Sequence, residues 1–164
     1  MVHKLTLDGG LLRGAVLLPA VHTLKQWEAE GKVELFESDR AKETNPKSVW
    51  LGPKRPYWSA KTGFKKKAEL GPLSFQSVAT VIFPGKDPIR LNMAEINEVA
   101  HILRHHALGR SIFVTTNAVD FITNGKREHL QAAFNILVLT PDETVDALKQ
   151  VSVSAREELQ GTGN

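Results

Sequence analysis

Cysteine is absent from the 164 residues, which excludes a disulfide framework, a thiolate nucleophile and any zinc or iron–sulfur site built on sulfur ligands. A cysteine-free chain suits a reducing cytoplasm, and that is where the protein is expected. Long apolar runs are missing as well, since none approaches the roughly 18 to 20 residues that cross a bilayer. The apolar stretch over residues 11–21 is interrupted by Arg13 and leads to no small-residue cleavage pattern, so neither a membrane anchor nor a secretory signal is expected. Glycine-rich phosphate cradles are also lacking. Neither Gly85-Lys86 nor Gly125-Lys126 has a glycine five residues earlier, no Gly-x-Gly-x-x-Gly occurs, and nothing resembles a nucleophile elbow.

What is present is an ordinary soluble composition, 41% hydrophobic and 24% charged, in a chain long enough for one domain. The net charge of +3 conceals an uneven distribution. Residues 44–68 hold seven basic side chains and no acidic one, so this segment carries +7 and the remainder −4.

Periodicity predicts alternating strands and helices. Residues 4–7 alternate polar and apolar before Asp8-Gly9-Gly10, which reads as a strand and a tight turn. Leu17, Val21, Leu24 and Trp27 have helical spacing, with Gly31 as a stop. Residues 33–36 read as a second strand, and Ser38 is placed to cap a helix reaching Glu43 before Asn45-Pro46. Residues 44–72, rich in Pro, Gly and Lys, read as a long loop or short irregular helices. Residues 78–83 suit a strand, with an apolar helix as the open alternative. Asn92 is placed to cap a helix whose Met93, Ile96, Val99, Ala100, Leu103 and Ala107 share a face. Strands over 112–115 and 136–139 flank a turn and helix over 125–134. Thr140 and Pro141 then open a last helix as N-cap and first residue. We expect a domain over residues 1–150 with a basic aromatic insertion at about 44–72, followed by a flexible tail over 151–164. The alternation implies an α/β fold, a three-layer α/β/α sandwich around a mainly parallel sheet, with functional groups beyond the carboxyl ends of the strands.

Four acidic residues follow predicted strands or face inward from the helices between them: Asp8, Glu43, Glu98 and Asp120. Carboxylates that converge bind hard divalent cations such as Mg²⁺ or Mn²⁺, which polarise phosphate and activate water. A lone carboxylate is as well explained by a helix cap or a solvated face. Glu98, His101 and His105 share a helical face by their spacing. The helix lacks the Glu directly after the first His that a zinc metallopeptidase needs, and it holds only one of the two Glu-x-x-His pairs of a di-iron bundle. Hydrogen-bonded or exposed histidines are the plainer explanation.

The basic segment interleaves Lys47, Lys54, Arg55, Lys61, Lys65, Lys66 and Lys67 with Trp50, Tyr57, Trp58 and Phe64. Cations that neutralise phosphate and faces that stack on bases make a candidate surface for single-stranded RNA. A solvated lysine-rich loop pinned by its aromatics is the alternative.

The C-terminal half, SIFVTTNAVDFITNGKREHLQAAFNILVLTPDE over residues 111–143, resembles the PIN-domain ribonucleases, with a strand ending in Phe-Val-Thr, an acidic residue, a short helix and a strand closing in Thr-Pro-x-Glu. Glu98-Val-Ala-His101 is similar to that family's Asp-Ala-x-His motif, KLTLD ending at Asp8 resembles its first strand and first acid, and Glu43 stands in the usual place of the second. The resemblance implies a metal-dependent nuclease in which Asp8, Glu43, Glu98 and Asp120 act in catalysis and, with Asn117, hold Mg²⁺ or Mn²⁺. Thr115 and His101 line the pocket. Glu98 and Asn117 stand where the family has Asp, so a catalytically degenerate module that binds RNA or a protein is the alternative. A toxin blocked by an antitoxin-like partner, and a homodimer, are further expectations from the same resemblance.

Overall fold

Four short apolar runs pair side by side into one parallel sheet of order β2–β1–β3–β4: β1 (His3–Leu7), β2 (Val33–Glu37), β3 (Ile112–Val114) and β4 (Leu137–Leu139). The computed structural model describes residues 2–12, 17–38 and 73–161. Within them lie six α-helices: α1 (Pro19–Ala29), α2 (Phe75–Ile82), α3 (Met93–Ala107), α4 (Ala118–Phe121), α5 (Lys126–Phe134) and α6 (Pro141–Gly161). A 3₁₀ turn over Pro88–Arg90 precedes α3.

The register divides the apolar strand residues of β1 and β3 between two cores. Leu5 lies opposite Ile112, and Leu7 opposite Val114. All four join Val21 and Leu24 of α1 and Val145 and Leu148 of α6 on one face of the sheet. The intervening residues point the other way. There Phe113, paired with Val138, packs with Val78 and Ile82 of α2, Val99 and Ile102 of α3 and Leu130 of α5. Helices therefore cover both faces, giving the three-layer α/β/α sandwich. A fully buried Leu or Phe contributes about 1.5–3 kcal/mol, so neither layer is dispensable.

Local chemistry sets the boundaries. Helix α1 stops where Gly31 takes a left-handed φ of 71°, which a residue without Cβ adopts freely. Helix α3 begins at Asn92, whose side chain accepts from the Glu95 N–H while Glu95 returns a bond to the Asn92 N–H. Thr140 and Glu143 form the same reciprocal box at the start of α6.

Three expectations change. Of the run over 78–83, which suits a strand with an apolar helix as the open alternative, residues 78–82 belong to helix α2 and Phe83 is its C-cap. Ser74 and Ser77 close a capping box there, and Phe75, Val78, Ala79 and Ile82 are buried at spacings of three and four. The inward face of α3 is rotated from the expected one: Met93 is 67% exposed and Ala107 is also exposed, whereas Arg104 and His105 are buried. The tail expected after Val151 is helical through Gly161, because residues 152–160 contain neither Gly nor Pro to end it. The predicted helix reaching Glu43 and the whole insertion at 44–72 lie outside the described residues.

Candidate metal centre

Strand order runs outward from β1 in both directions, to β2 on one side and to β3 and β4 on the other. The crevice between β1 and β3 is therefore a topological switch point, where open parallel sheets place their ligands. Asp8 and Thr115 stand there, each one residue beyond its strand. Both continue the ladder, Asp8 N–H to the Val114 carbonyl at 2.8 Å and Thr115 N–H to the Leu139 carbonyl at 3.0 Å. Their side chains meet: the Thr115 hydroxyl donates to Asp8 Oδ2 at 2.6 Å. The other carboxylate oxygen, Oδ1, accepts the Gly9 N–H at 2.8 Å.

Helix α3 supplies the opposite wall through a polar stripe. His101 and His105, one turn apart, stand about 6 Å apart along a helix axis; Thr6 and Asp8 stand about 6.6 Å apart along a strand. The two spacings match, and the histidines register on the strand residues. His105 Nδ1 lies 2.9 Å from Thr6 Oγ1, and His101 Nδ1 lies 3.5 Å from Asp8 Oδ1. Helix α3 thus runs antiparallel to β1. One further turn back, Glu98 Oε2 lies 3.9 Å from His101 Nδ1.

Asp8, Glu98 and His101 each offer a ligand atom within 4.8 Å of the others. Glu98 Oε2 and His101 Nδ1 are inaccessible to solvent and make no hydrogen bond. Buried polar atoms normally have partners, so two orphaned donor atoms beside a carboxylate fit a divalent cation, and the set of two carboxylates and an imidazole has suitable chemistry.

The electrostatics separate the two acids. Burial pushes the Glu98 carboxyl up, and the Asp8 charge adds to this; His101 opposes it, Asp120 adds a little, and the result is about 7. Burial would raise Asp8 as well, but the polar contact with His101, the Thr115 and Gly9 hydrogen bonds and the His101 charge outweigh it and hold Asp8 below its usual value. Asp8 is ionised at neutral pH while Glu98 retains a proton much of the time.

Comparison of the chain with family models, curated proteins and solved structures finds no match.

The remaining residues named from sequence fall into three groups. Asp120 borders the centre, close enough for its charge to act on Glu98. Asn117 caps α4 by accepting the Asp120 N–H at 3.3 Å, and its Nδ2 donates to Asp120 Oδ2 at 2.8 Å. Asn117 therefore orients the acid three residues later, and its own N–H is held by Thr115 Oγ1 at 2.9 Å. Glu43 and all eleven proposed RNA-contacting residues, Lys47 to Lys67, lie outside the described residues.

His105, which sequence spacing grouped with Glu98 and His101, has a different role. Its ring is buried against Phe113, with centroids 5.6 Å apart. Burial, followed by the Arg110 and His106 charges, pulls its pKa down to about 4. Arg110 also donates to Thr6 Oγ1 at 3.2 Å and stacks over Phe36 at 4.2 Å. Sequence reasoning did not find this cluster, although Thr6 inside an apolar strand and His105 four residues after His101 were its signals.

Proposed function

We propose that the protein is a metal-dependent ribonuclease of the PIN-like kind, hydrolysing phosphodiester bonds of single-stranded RNA. The observation that carries this reading is the convergence of Asp8, Glu98 and His101 at the switch point, with Asp120 beside them. A divalent ion held there, Mg²⁺ or Mn²⁺, would polarise the phosphate and make water a better nucleophile. Asp8 supplies the fixed negative charge, and Thr115 and the Gly9 N–H lock its orientation. Glu98, whose carboxyl titrates at about 7, would give up its proton to ligate such an ion. Asp120, oriented by Asn117, is available to hold a water on the side of the centre near α4. The basic aromatic segment supplies the chemistry that recognises a single strand. Cytoplasmic residence belongs to the same proposal and rests on the cysteine-free composition. Among the described residues, no helix is long and apolar enough to cross a membrane.

One observation favours a second reading, a degenerate module that binds RNA or an antitoxin-like protein without cleaving. Asn117 brings no charge, and its amide is engaged with Asp120. Incubation of a labelled single-stranded RNA with Mn²⁺ or Mg²⁺ separates the two. Cleavage that Asp8→Asn and chelator both abolish supports the nuclease. RNA binding that survives chelator with no cleavage supports the module.

A further inference from the structure

The three-residue centre carries a statement about which ion it selects, resting on the metal site proposed above. We infer that His101 Nδ1 is a direct metal ligand, so that the site is a mixed nitrogen–oxygen centre that takes a transition ion such as Mn²⁺ in preference to Mg²⁺.

Distances support direct ligation. Two donors bound to one ion at about 2.1 Å lie about 3.0 Å apart when adjacent in an octahedron, about 3.4 Å apart in a tetrahedron, and about 4.2 Å apart when opposite. The His101 Nδ1 separations of 3.5 Å from Asp8 Oδ1 and 3.9 Å from Glu98 Oε2 fall inside that span.

The hydrogen bonds point the same way. Asp8 is fixed from behind by Thr115 and Gly9, the outer-shell arrangement that aims a ligand. Glu98 Oε2 and His101 Nδ1, both sealed from solvent, make no hydrogen bond and face only each other and the Asp8 carboxylate, at 3.5–3.9 Å from His101 Nδ1. The neighbouring histidine provides an internal contrast: His105 on the same stripe satisfies its Nδ1 with Thr6, and His101 has no such hydroxyl below it, only the Asp8 carboxylate. An imidazole nitrogen binds the heavier first-row ions best, Mn²⁺ less strongly, and Mg²⁺, which holds oxygen and water, least. The histidine therefore changes the preference of a site that two carboxylates alone would leave open to either ion.

The test uses the full chain with Mn²⁺ as probe, read by electron spin echo spectroscopy and by competition with Mg²⁺. The expected result is nitrogen-14 modulation from a ligated imidazole and affinity for Mn²⁺ at least about tenfold above that for Mg²⁺. In His101→Gln the modulation disappears and Mn²⁺ binding weakens about ten- to a hundredfold, with Mg²⁺ binding nearly unchanged. Bound Mn²⁺ without nitrogen modulation, or modulation retained in His101→Gln, overturns the inference. If that variant does not fold, the wild-type spectrum and the Mg²⁺ competition still decide, and equal affinities count against it. Nitrogen-coordinated Mn²⁺ in a protein that cleaves no RNA leaves this inference standing and removes the nuclease reading. Cleavage with Mg²⁺ and Mn²⁺ alike, without modulation, does the reverse. A chain that binds neither ion overturns both.

Discussion

Thr115 Oγ1 donates to Asp8 Oδ2 at 2.6 Å, joining residues from two neighbouring strands of the central sheet. The same hydroxyl oxygen accepts the Asn117 N–H, so one buried side chain positions an acid on one strand end and the turn that follows the other. Aiming Asp8 in this way serves a ligand more than it serves the core.

Thr115→Val retains the shape and deletes both interactions. Hydrogen bonds to charged groups contribute about 1.5–3 kcal/mol, and the variant is expected to lose about that much stability in urea unfolding. Its Mn²⁺ affinity should fall roughly tenfold. A purely structural Thr115 would lower stability and leave metal affinity unchanged.

Asn117→Asp preserves the cap on α4, because both side chains accept at an N-cap. It replaces the amide that donates to Asp120 with a second negative charge. The variant should be less stable than wild type by about 1–2 kcal/mol in chelator. Added Mn²⁺ should restore its midpoint by more than it raises that of wild type, a comparison that thermal melts with and without the ion make directly.

Glu98 makes metal binding depend on pH. Its carboxyl holds a proton below about 7, and an entering cation must displace that proton. Apparent Mn²⁺ affinity should rise with pH up to about 7 and flatten above it, falling up to about tenfold per pH unit below. In the metal-free protein the sign for stability is opposite to that of an ordinary ion-paired acid. The folded state binds more protons than the unfolded state between about 4.5 and 7, so stability falls as pH rises through that window. Titration calorimetry at several pH values, with Glu98→Gln as control, checks the binding slope.

His105 produces an acid limb. Its folded pKa of about 4 lies below the unfolded value of 6.5, so the unfolded state binds the extra proton. Its stabilising contribution is complete above about 6.5 and is lost as pH falls toward 4. Between about pH 7 and pH 4.5 the loss is about 2 kcal/mol. In metal-free His105→Asn the unfolding free energy at pH 7 minus that at pH 4.5 should be lower than the same difference in wild type by about 2 kcal/mol, because the opposing Glu98 contribution over this window is unchanged. An unchanged pH dependence would assign the acid limb to other groups.

Much of this arrangement was legible in the sequence because it is local. The alternation around Leu5 and Leu7, the cap at Asn92 and the Thr140-Pro141 start of α6 each depend on a few adjacent residues, and the structure places those elements as expected. Residues 78–83 fit either period as a short apolar run; the Ser74–Ser77 box decides for the helix, and its signal is two small polar residues at 74 and 77. Asp8, Glu98 and Asp120 were identifiable as acids at strand ends or inward-facing helix positions. Their proximity was not, since it depends on how α3 lies across β1.

His101 shows the same limit. Its spacing from Glu98 and His105 suggested one shared face, but the matching rises of helix and strand divide the stripe, setting His101 over Asp8 and His105 over Thr6. Two histidines one turn apart thereby acquire different chemistry from the strand residues beneath them.

The convergence of Asp8, Glu98 and His101 on one ion is tested most directly by a crystal of the full chain soaked in Mn²⁺, with anomalous scattering recorded for manganese. The account predicts one strong peak at about 2.1–2.3 Å from an Asp8 carboxylate oxygen, a Glu98 carboxylate oxygen and His101 Nδ1. A soaked crystal with no peak among these three atoms, or with manganese bound only elsewhere, would contradict it.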